Sequence, residues 1–470
     1  MSNGDSTNFK EKLLKYWDKF SPWFFKLNIE QRFLLAIGTL LIFSGWFISI
    51  KSNPAIVAGA LLIIFAALNP STFKDFVLKV GKGGTEVSFK RRVASEEESE
   101  ILKEATQKNP PPKIKIESEK LIEAAEKRTA DERAPEDYLA LAVKAWEEKK
   151  FEEGLRWAYS GLNLEPKNKE TQVGLYNILG ILYQNLKSYE LSEENYKKAL
   201  EIDGEAFGVH NNLGSVYSAQ KKYDDAEREY KEALRLYPEY VNAHNGLGNV
   251  YLGQKKSDDA EREYKEALRL DPNYSNAHNG LGNVHFDKKK YNDAEREFKE
   301  ALRLDPNFST AHNGLGTVYL NQKKYKDAKR EFKEAIRLDP DYCGAHTGLG
   351  LFFYQQKNFP EAELEYREAL RLDPKYVDAH GNYGFLLFDL EKHEGALNHF
   401  NSALEIEAIP DSYAGKAICL SKLGRQEEAL STYKTAVSQN SKYLDLTQMR
   451  EENVWSEQAC EVARELIERL

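Results

Sequence analysis

Cysteine and methionine are nearly missing from this chain, three and two in 470 residues. Cys343, Cys419 and Cys460 are odd in number and lack metal-ligand spacing, which excludes a disulfide scaffold and a zinc module and leaves ordinary reduced thiols. An excess of positive charge is missing too: 66 Lys and Arg stand against 75 Asp and Glu, a net charge of −9. Nucleic-acid affinity comes largely from cations on phosphate, so no nucleic-acid partner is expected. Catalytic signatures are absent as well. There is no glycine-rich phosphate or dinucleotide fingerprint, no Gly-x-Ser-x-Gly, no His-Glu-x-x-His and no Cys-x-x-Cys. No enzyme activity, cofactor, metal or small-molecule substrate is expected.

Long apolar runs are present only near the start. Residues 33–50 carry no charge, and residues 54–69 form a second, shorter run opened by Pro54. At about 1.5 Å per residue they reach roughly 27 and 22 Å, against a hydrocarbon core of about 30 Å. Only Lys51-Ser52-Asn53 separates them, so the pair reads as a transmembrane hairpin, 33–50 and 54–69. A cleaved signal peptide is disfavoured by the late first run and the second that follows; a buried soluble hairpin is the remaining alternative. Charge is uneven: residues 1–92 hold 13 Lys and Arg against 6 Asp and Glu, and the rest 53 against 69. Lysines and arginines flank the hairpin on both sides, which by the positive-inside rule puts both termini in the cytoplasm. Residues 1–32 mix aromatics with lysines and read either as an interfacial segment or as a helix packed on the hairpin or the repeats. Residues 70–134 read as a juxtamembrane segment and charged linker, with a loop and one short strand over 80–89 and short helices at 96–107 and 117–127.

The rest of the chain repeats itself. Ala226, Ala260, Ala294, Ala328, Ala362 and Ala396 are spaced by 34 residues, as are Leu213-Gly214, Leu247-Gly248, Leu281-Gly282, Leu315-Gly316 and Leu349-Gly350. In one copy Leu247, Gly248 and Tyr251 share a helical face. Gln254 to Ser257 break the pattern, and Ala260, Tyr264, Ala267 and Leu268 form a second stripe ending at Asp271-Pro272. Asp258 with Glu261 is expected to cap the second helix. Each unit is therefore helix–turn–helix, and one pair cannot bury its stripe without neighbours.

These residues resemble the tetratricopeptide repeat (TPR) family, whose Leu-Gly, Tyr, Ala, aromatic, Ala and Pro pattern recurs through 207–376 and in weaker form to either side. The resemblance implies an all-α TPR solenoid, a right-handed superhelix of about nine repeats over 135–441, preceded by two transmembrane helices. Residues 442–470 read as a C-terminal capping helix with Trp455, Ala459, Val462, Ala463, Leu466 and Leu470 on one face.

Six histidines share one repeat position: His210, His244, His278, His312, His346 and His380. Neighbouring first helices stand about 8–10 Å apart, too far for metal ligands that must converge within about 2.1 Å, so these read as inter-repeat packing residues. The candidate site lies beside them. Asn211, Asn245, Asn279 and Asn313 follow the histidines, Asn249, Asn283 and Thr317 come four residues later on the same face, and Asn212 adjoins the first. By the family alignment this face lines the concave groove, where amides offer donor and acceptor to an extended peptide. The plainer alternative is that copying a repeat copies its asparagines. A carboxylate clamp is disfavoured, because Asn242, Asn245, Asn276 and Asn279 hold the positions where it needs cations. The reading is a membrane-anchored scaffold binding protein or peptide partners at the cytoplasmic face, with the bilayer engaged through 33–69. The alternatives are a structural subunit of a membrane complex and a targeting module for a separate membrane enzyme.

Overall fold

The computed structural model describes residues 78–81, 84–87, 98, 101–103, 112–130, 132–447, 449 and 455–470. The expected segment 1–32 and the hairpin 33–69 lie outside the described residues. Among the described residues no helix is long and apolar enough to cross a membrane. The chain divides into two compact units between Asp203 and Gly204.

In the first unit, strands β1 (Leu78–Gly81) and β2 (Gly84–Val87) pair antiparallel, with Leu78 opposite Val87 and Gly81 opposite Gly84. This corrects the single strand expected over 85–89 and limits "all-α" to the repeats. The two-residue connection is the length a tight hairpin requires. Of the helix expected at 96–107, residues 98 and 101–103 are described and helical. Helix α1 (Pro112–Lys127) begins five residues before the expected start, on a proline that the first helical turn tolerates. It packs on α2 (Pro135–Glu147), burying Ile122 and Ala125. Arg128–Asp137 and Lys144–Glu126 pair across the two helices. Residues 112–127 are thus part of a folded unit and not a bare tether. Helix α3 (Phe151–Leu162) completes the first pair, and α4 (Lys169–Asn185) with α5 (Tyr189–Ile202) the second.

The second unit holds seven pairs. They are α6 (Phe207–Ala219) with α7 (Tyr223–Leu236), α8 (Val241–Gly253) with α9 (Ser257–Leu270), and α10 (Ser275–Asp287) with α11 (Tyr291–Leu304). Then come α12 (Ser309–Asn321) with α13 (Tyr325–Leu338), α14 (Cys343–Gln355) with α15 (Phe359–Leu372), α16 (Val377–Asp389) with α17 (His393–Ile406), and α18 (Pro410–Lys422) with α19 (Gln426–Gln439). Each second helix ends where its last residue turns extended; Asp271, before Pro272, has φ −134° and ψ 97°. The expected cap does not form. Lys256 takes the N-cap position without a side-chain hydrogen bond, which puts Asp258 two residues past the cap, inside the first turn. Asp258 and Glu261 instead both accept from Lys288 Nζ of the next pair, at 2.6 Å each.

One aromatic ring per copy holds three helices together. Tyr264 on α9 is fully buried and lies against Gly248 of its own first helix and Gly280 of the next. Tyr230, Phe298 and Phe332 repeat this between Gly214 and Gly246, Gly282 and Gly314, and Gly316 and Gly348. The glycines of each first helix are therefore the seats of two rings. Truncating such a ring to alanine costs about 3–5 kcal/mol in comparable cores.

First helices also touch first helices, α6 to α8, α8 to α10 and onward, whereas second helices make no comparable contact with one another. Elements that touch on one side and splay on the other curve toward the touching side, so the first helices line the inner face of this unit. The curve brings the turn after α6 to the end of α17, where Lys221 Nζ stands 2.6 Å from Glu407. At the far end α20 (Glu457–Ile467) is capped by Ser456, whose hydroxyl accepts from Ala459 N–H at 3.1 Å. It buries Ala459, Val462, Ala463 and Leu466 with Trp455 in the cluster of the last pairs.

Candidate functional site: an amide-lined inner face

On a first helix the apolar positions are consumed by packing. Ala243, Leu247, Val250 and Tyr251 of α8 are buried. That leaves Asn242, Asn245 and Asn249, spaced i, i+3 and i+7 on one stripe, the first two half-buried and Asn249 exposed. The next copies put Asn276, Asn279 and Asn283, then Thr310, Asn313 and Thr317 in the same places.

The structure treats the eight expected residues differently. Asn245, Asn249, Asn279, Asn283, Asn313 and Thr317 share the inner stripe, Asn249 exposed and the others half-buried. Asn211 is on the stripe but buried, 6% exposed. Asn212 is off it: it takes the position that Gly246, Gly280 and Gly314 hold in the following copies, and is buried. It accepts from Asn211 Nδ2 at 3.2 Å. The amide run then stops, with Thr347 and Gly381 in the next two copies.

Two tyrosines, which the sequence reading did not assign to the site, orient amides of α8. Tyr264 donates its hydroxyl to Asn249 Oδ1 at 2.6 Å, and Tyr274 to Asn242 Oδ1 at 2.7 Å. Burial pushes the Tyr274 hydroxyl up to about 12, which keeps its proton in place for donation. The signal was present, since Tyr240, Tyr274, Tyr342 and Tyr376 recur one residue before each first helix, with Phe308 in the same slot. The amide oxygens of Asn211, Asn245, Asn279 and Asn313 are buried without a protein partner.

The histidines make contacts both within a repeat and to the one before it. His244 Nδ1 meets Glu263 Oε2 of its own second helix at 2.8 Å, and its Nε2 meets the Pro238 carbonyl at 3.0 Å. His210, His278, His312 and His346 do the same with Glu229, Glu297, Glu331 and Glu365. Nδ1 staples a repeat to itself, because a spacing of 19 residues spans the turn between its helices, and Nε2 ties it to the closing proline of the preceding copy. In the sixth copy the glutamate is replaced, and His380 Nδ1 faces His399 Nδ1 at 2.9 Å.

The outer face is already paired. On the second helices Arg235 binds Glu232 and Arg269 binds Glu266, each at 2.7 Å, Lys265 binds Glu261 at 2.5 Å, and Lys324 reaches back to Glu295 of the preceding copy at 3.0 Å. No group of His, Cys, Asp and Glu among the described residues forms a metal cluster.

Sequence models described as "Tetratricopeptide repeat" match residues 211–275, 245–309, 279–342, 313–377 and 358–413, residues 171–239, and residues 410–443. Together they cover 171–443, more than half of the chain. Among solved structures, a monomeric IFIT1 variant is 16% identical, covering 79% of this chain and 94% of its own, with a TM-score of 0.50. PilF of Pseudomonas aeruginosa is 22% identical over 43% of this chain and 93% of its own, TM-score 0.35. YrrB, described as a TPR protein with an unusual peptide-binding site, is 23% identical over 40% and 96%, TM-score 0.29. At these identities the likeness is one of fold alone. No curated protein matches.

Proposed function

Because this chain belongs to the tetratricopeptide repeat family, we propose that it is a scaffold that holds a protein partner as an extended segment along the inner face of its second unit. Scaffolding of protein–protein contacts is the general office of such arrays. The narrower reading rests on one observation: Asn245, Asn249, Asn279 and Asn283 stand at identical places on adjacent first helices, on a stripe that remains partly or fully exposed. Core packing requires no amide at those positions, and asparagine is a mediocre helix former. The outer face, by contrast, has its charges paired within and between second helices and offers little to a partner.

The proposal includes a place as well as a partner. The apolar runs 33–50 and 54–69 and their flanking lysines support a hairpin anchor with both termini on the cytoplasmic side. An anchor confines the search to the membrane surface and raises the effective concentration of any partner there. The chain itself would carry no catalysis.

Affinity capture from solubilised membranes tests both parts. The full chain should stay in the membrane fraction after an alkaline wash, and a form lacking 33–69 should not. Changing Asn245, Asn249, Asn279 and Asn283 together to Ala should reduce recovery of the captured partner at least tenfold without altering the far-ultraviolet circular dichroism. Unchanged recovery would remove the groove and favour broad-surface assembly into a membrane complex.

A further inference from the structure

The amides of the inner face are polarised, and their polarity specifies the chemistry of the segment they hold. At Asn249 and Asn242 the oxygen is taken by a tyrosine hydroxyl at 2.6 and 2.7 Å. Those are lengths of O–H···O bonds, with the tyrosine hydroxyl as donor and the amide oxygen as acceptor. At Asn245 and Asn279 the side chains are half-exposed while their oxygens are buried. What these residues turn to the groove is the NH₂ end. Asn245, Asn249, Asn279 and Asn283 carry no charge and form a patch of donors, with the carboxylate of Asp287 one helical turn beyond Asn283 at its edge. Thr317 marks its limit: its hydroxyl proton is spent on the Asn313 carbonyl at 3.0 Å.

Resting on the groove reading above, we propose that this face takes a proline-rich segment in the polyproline II conformation, held through its backbone carbonyls. A donor surface satisfies C=O groups and strands N–H groups, and a polar group buried without a partner costs about 1–3 kcal/mol. Proline is the residue that offers a carbonyl and brings no N–H. The periods agree as well. Polyproline II has about three residues per turn at about 3.1 Å each, roughly 9 Å per turn. Neighbouring packed helices stand about 8–10 Å apart. One turn of the ligand therefore advances one repeat, and the same carbonyl of each turn meets the same asparagine of each copy.

The test uses the full chain in detergent with two fluorescein-labelled probes, decaproline and a ten-residue alternating Gly-Ser peptide, followed by fluorescence anisotropy. Decaproline should bind saturably and at least tenfold more tightly than the Gly-Ser peptide, with little dependence on salt. Asn245→Asp with Asn279→Asp, which exchanges each NH₂ for an oxygen at constant size, should weaken decaproline at least tenfold. Should that pair lower the melting temperature, Asn283→Asp carries the same comparison, since Asn283 makes no hydrogen bond in the fold among the described residues. Tighter binding of the Gly-Ser peptide than of decaproline would overturn the donor reading and leave the groove standing. Equal decaproline binding by the Asp variants would also overturn it. Binding of neither probe would overturn the inference, while the capture experiment with the four Asn→Ala changes decides separately whether the groove stands.

Discussion

Each of five histidines has both ring nitrogens on acceptors, Nδ1 on a glutamate at 2.7–2.8 Å and Nε2 on a carbonyl at 3.0–3.3 Å. A neutral imidazole has one donor, so only the imidazolium satisfies both. Burial opposes the charge and is the leading influence at His210, His244 and His312, but the glutamate and carbonyl bonds together exceed it. At His278 and His346 the glutamate bond leads. All five are raised above their ordinary 6.5. A raised value gives stability that is complete below the unfolded pKa and lost as pH climbs through the folded one. His399 runs the other way. Burial, then the neighbouring His380, lowers it to about 4, so its contribution is complete above about 6.5 and lost as pH falls toward 4. The melting temperature should therefore decline as pH is raised from about 6 to about 9. Glu263→Gln with Glu297→Gln should flatten the decline, and an upward or level trend in the unmodified chain would count against the charged ring. The sequence displayed the histidines but not their partners, since a glutamate 19 positions away has no local signature until two helices fold back on each other.

At the scale of the helix, the glycines separate into two kinds by what surrounds them. A Cβ on Gly280 would overlap the fully buried Tyr264 ring of the preceding copy, which has nowhere to move. Gly381 sits in the neighbouring register of α16 with nothing within 4 Å of its would-be Cβ. In a helix interior alanine is better than glycine by about 1 kcal/mol, and overpacking costs about 1–3 kcal/mol. Gly381→Ala should raise stability by up to about 1 kcal/mol and Gly280→Ala should lower it by about 1–2 kcal/mol. Urea denaturation of both variants checks the difference in sign. The helices themselves were legible from periodicity, and the ends at Asp-Pro from proline chemistry. The starts were not: Asp258 looked like a cap because an acid stands three residues before Glu261, yet both carboxylates serve Lys288 of another copy. The turns hid a second feature. Lys221, Lys255, Lys289 and Lys323 hold φ between 57° and 61°, and only the last copy, with Gly424 at φ 78°, shows the residue that this conformation ordinarily selects.

Among the described residues of the second unit, the contact between Lys221 and Glu407 joins residues 186 apart in sequence. Both side chains are largely exposed, and such a pair adds little to stability; its value is as a gauge of curvature. A zero-length carbodiimide should join Lys221 to Glu407 as an amide, detectable by mass spectrometry of the digested chain and lost in Lys221→Arg. Absence of that cross-link at low salt would mean a more open curve. The sequence by itself determined the repeat: a period of 34, its two helices, its glycines and its rings, because packing against an identical neighbour imposes the same choice in every copy. It also displayed the asparagines, because an uncovered stripe is visible as a position that need not be apolar. Only the tertiary structure decided which ends of the amides face outward, which carboxylate each histidine meets and where the curve brings distant turns together. Those depend on groups that approach one another through space, and a pattern read along one chain contains spacing but not approach.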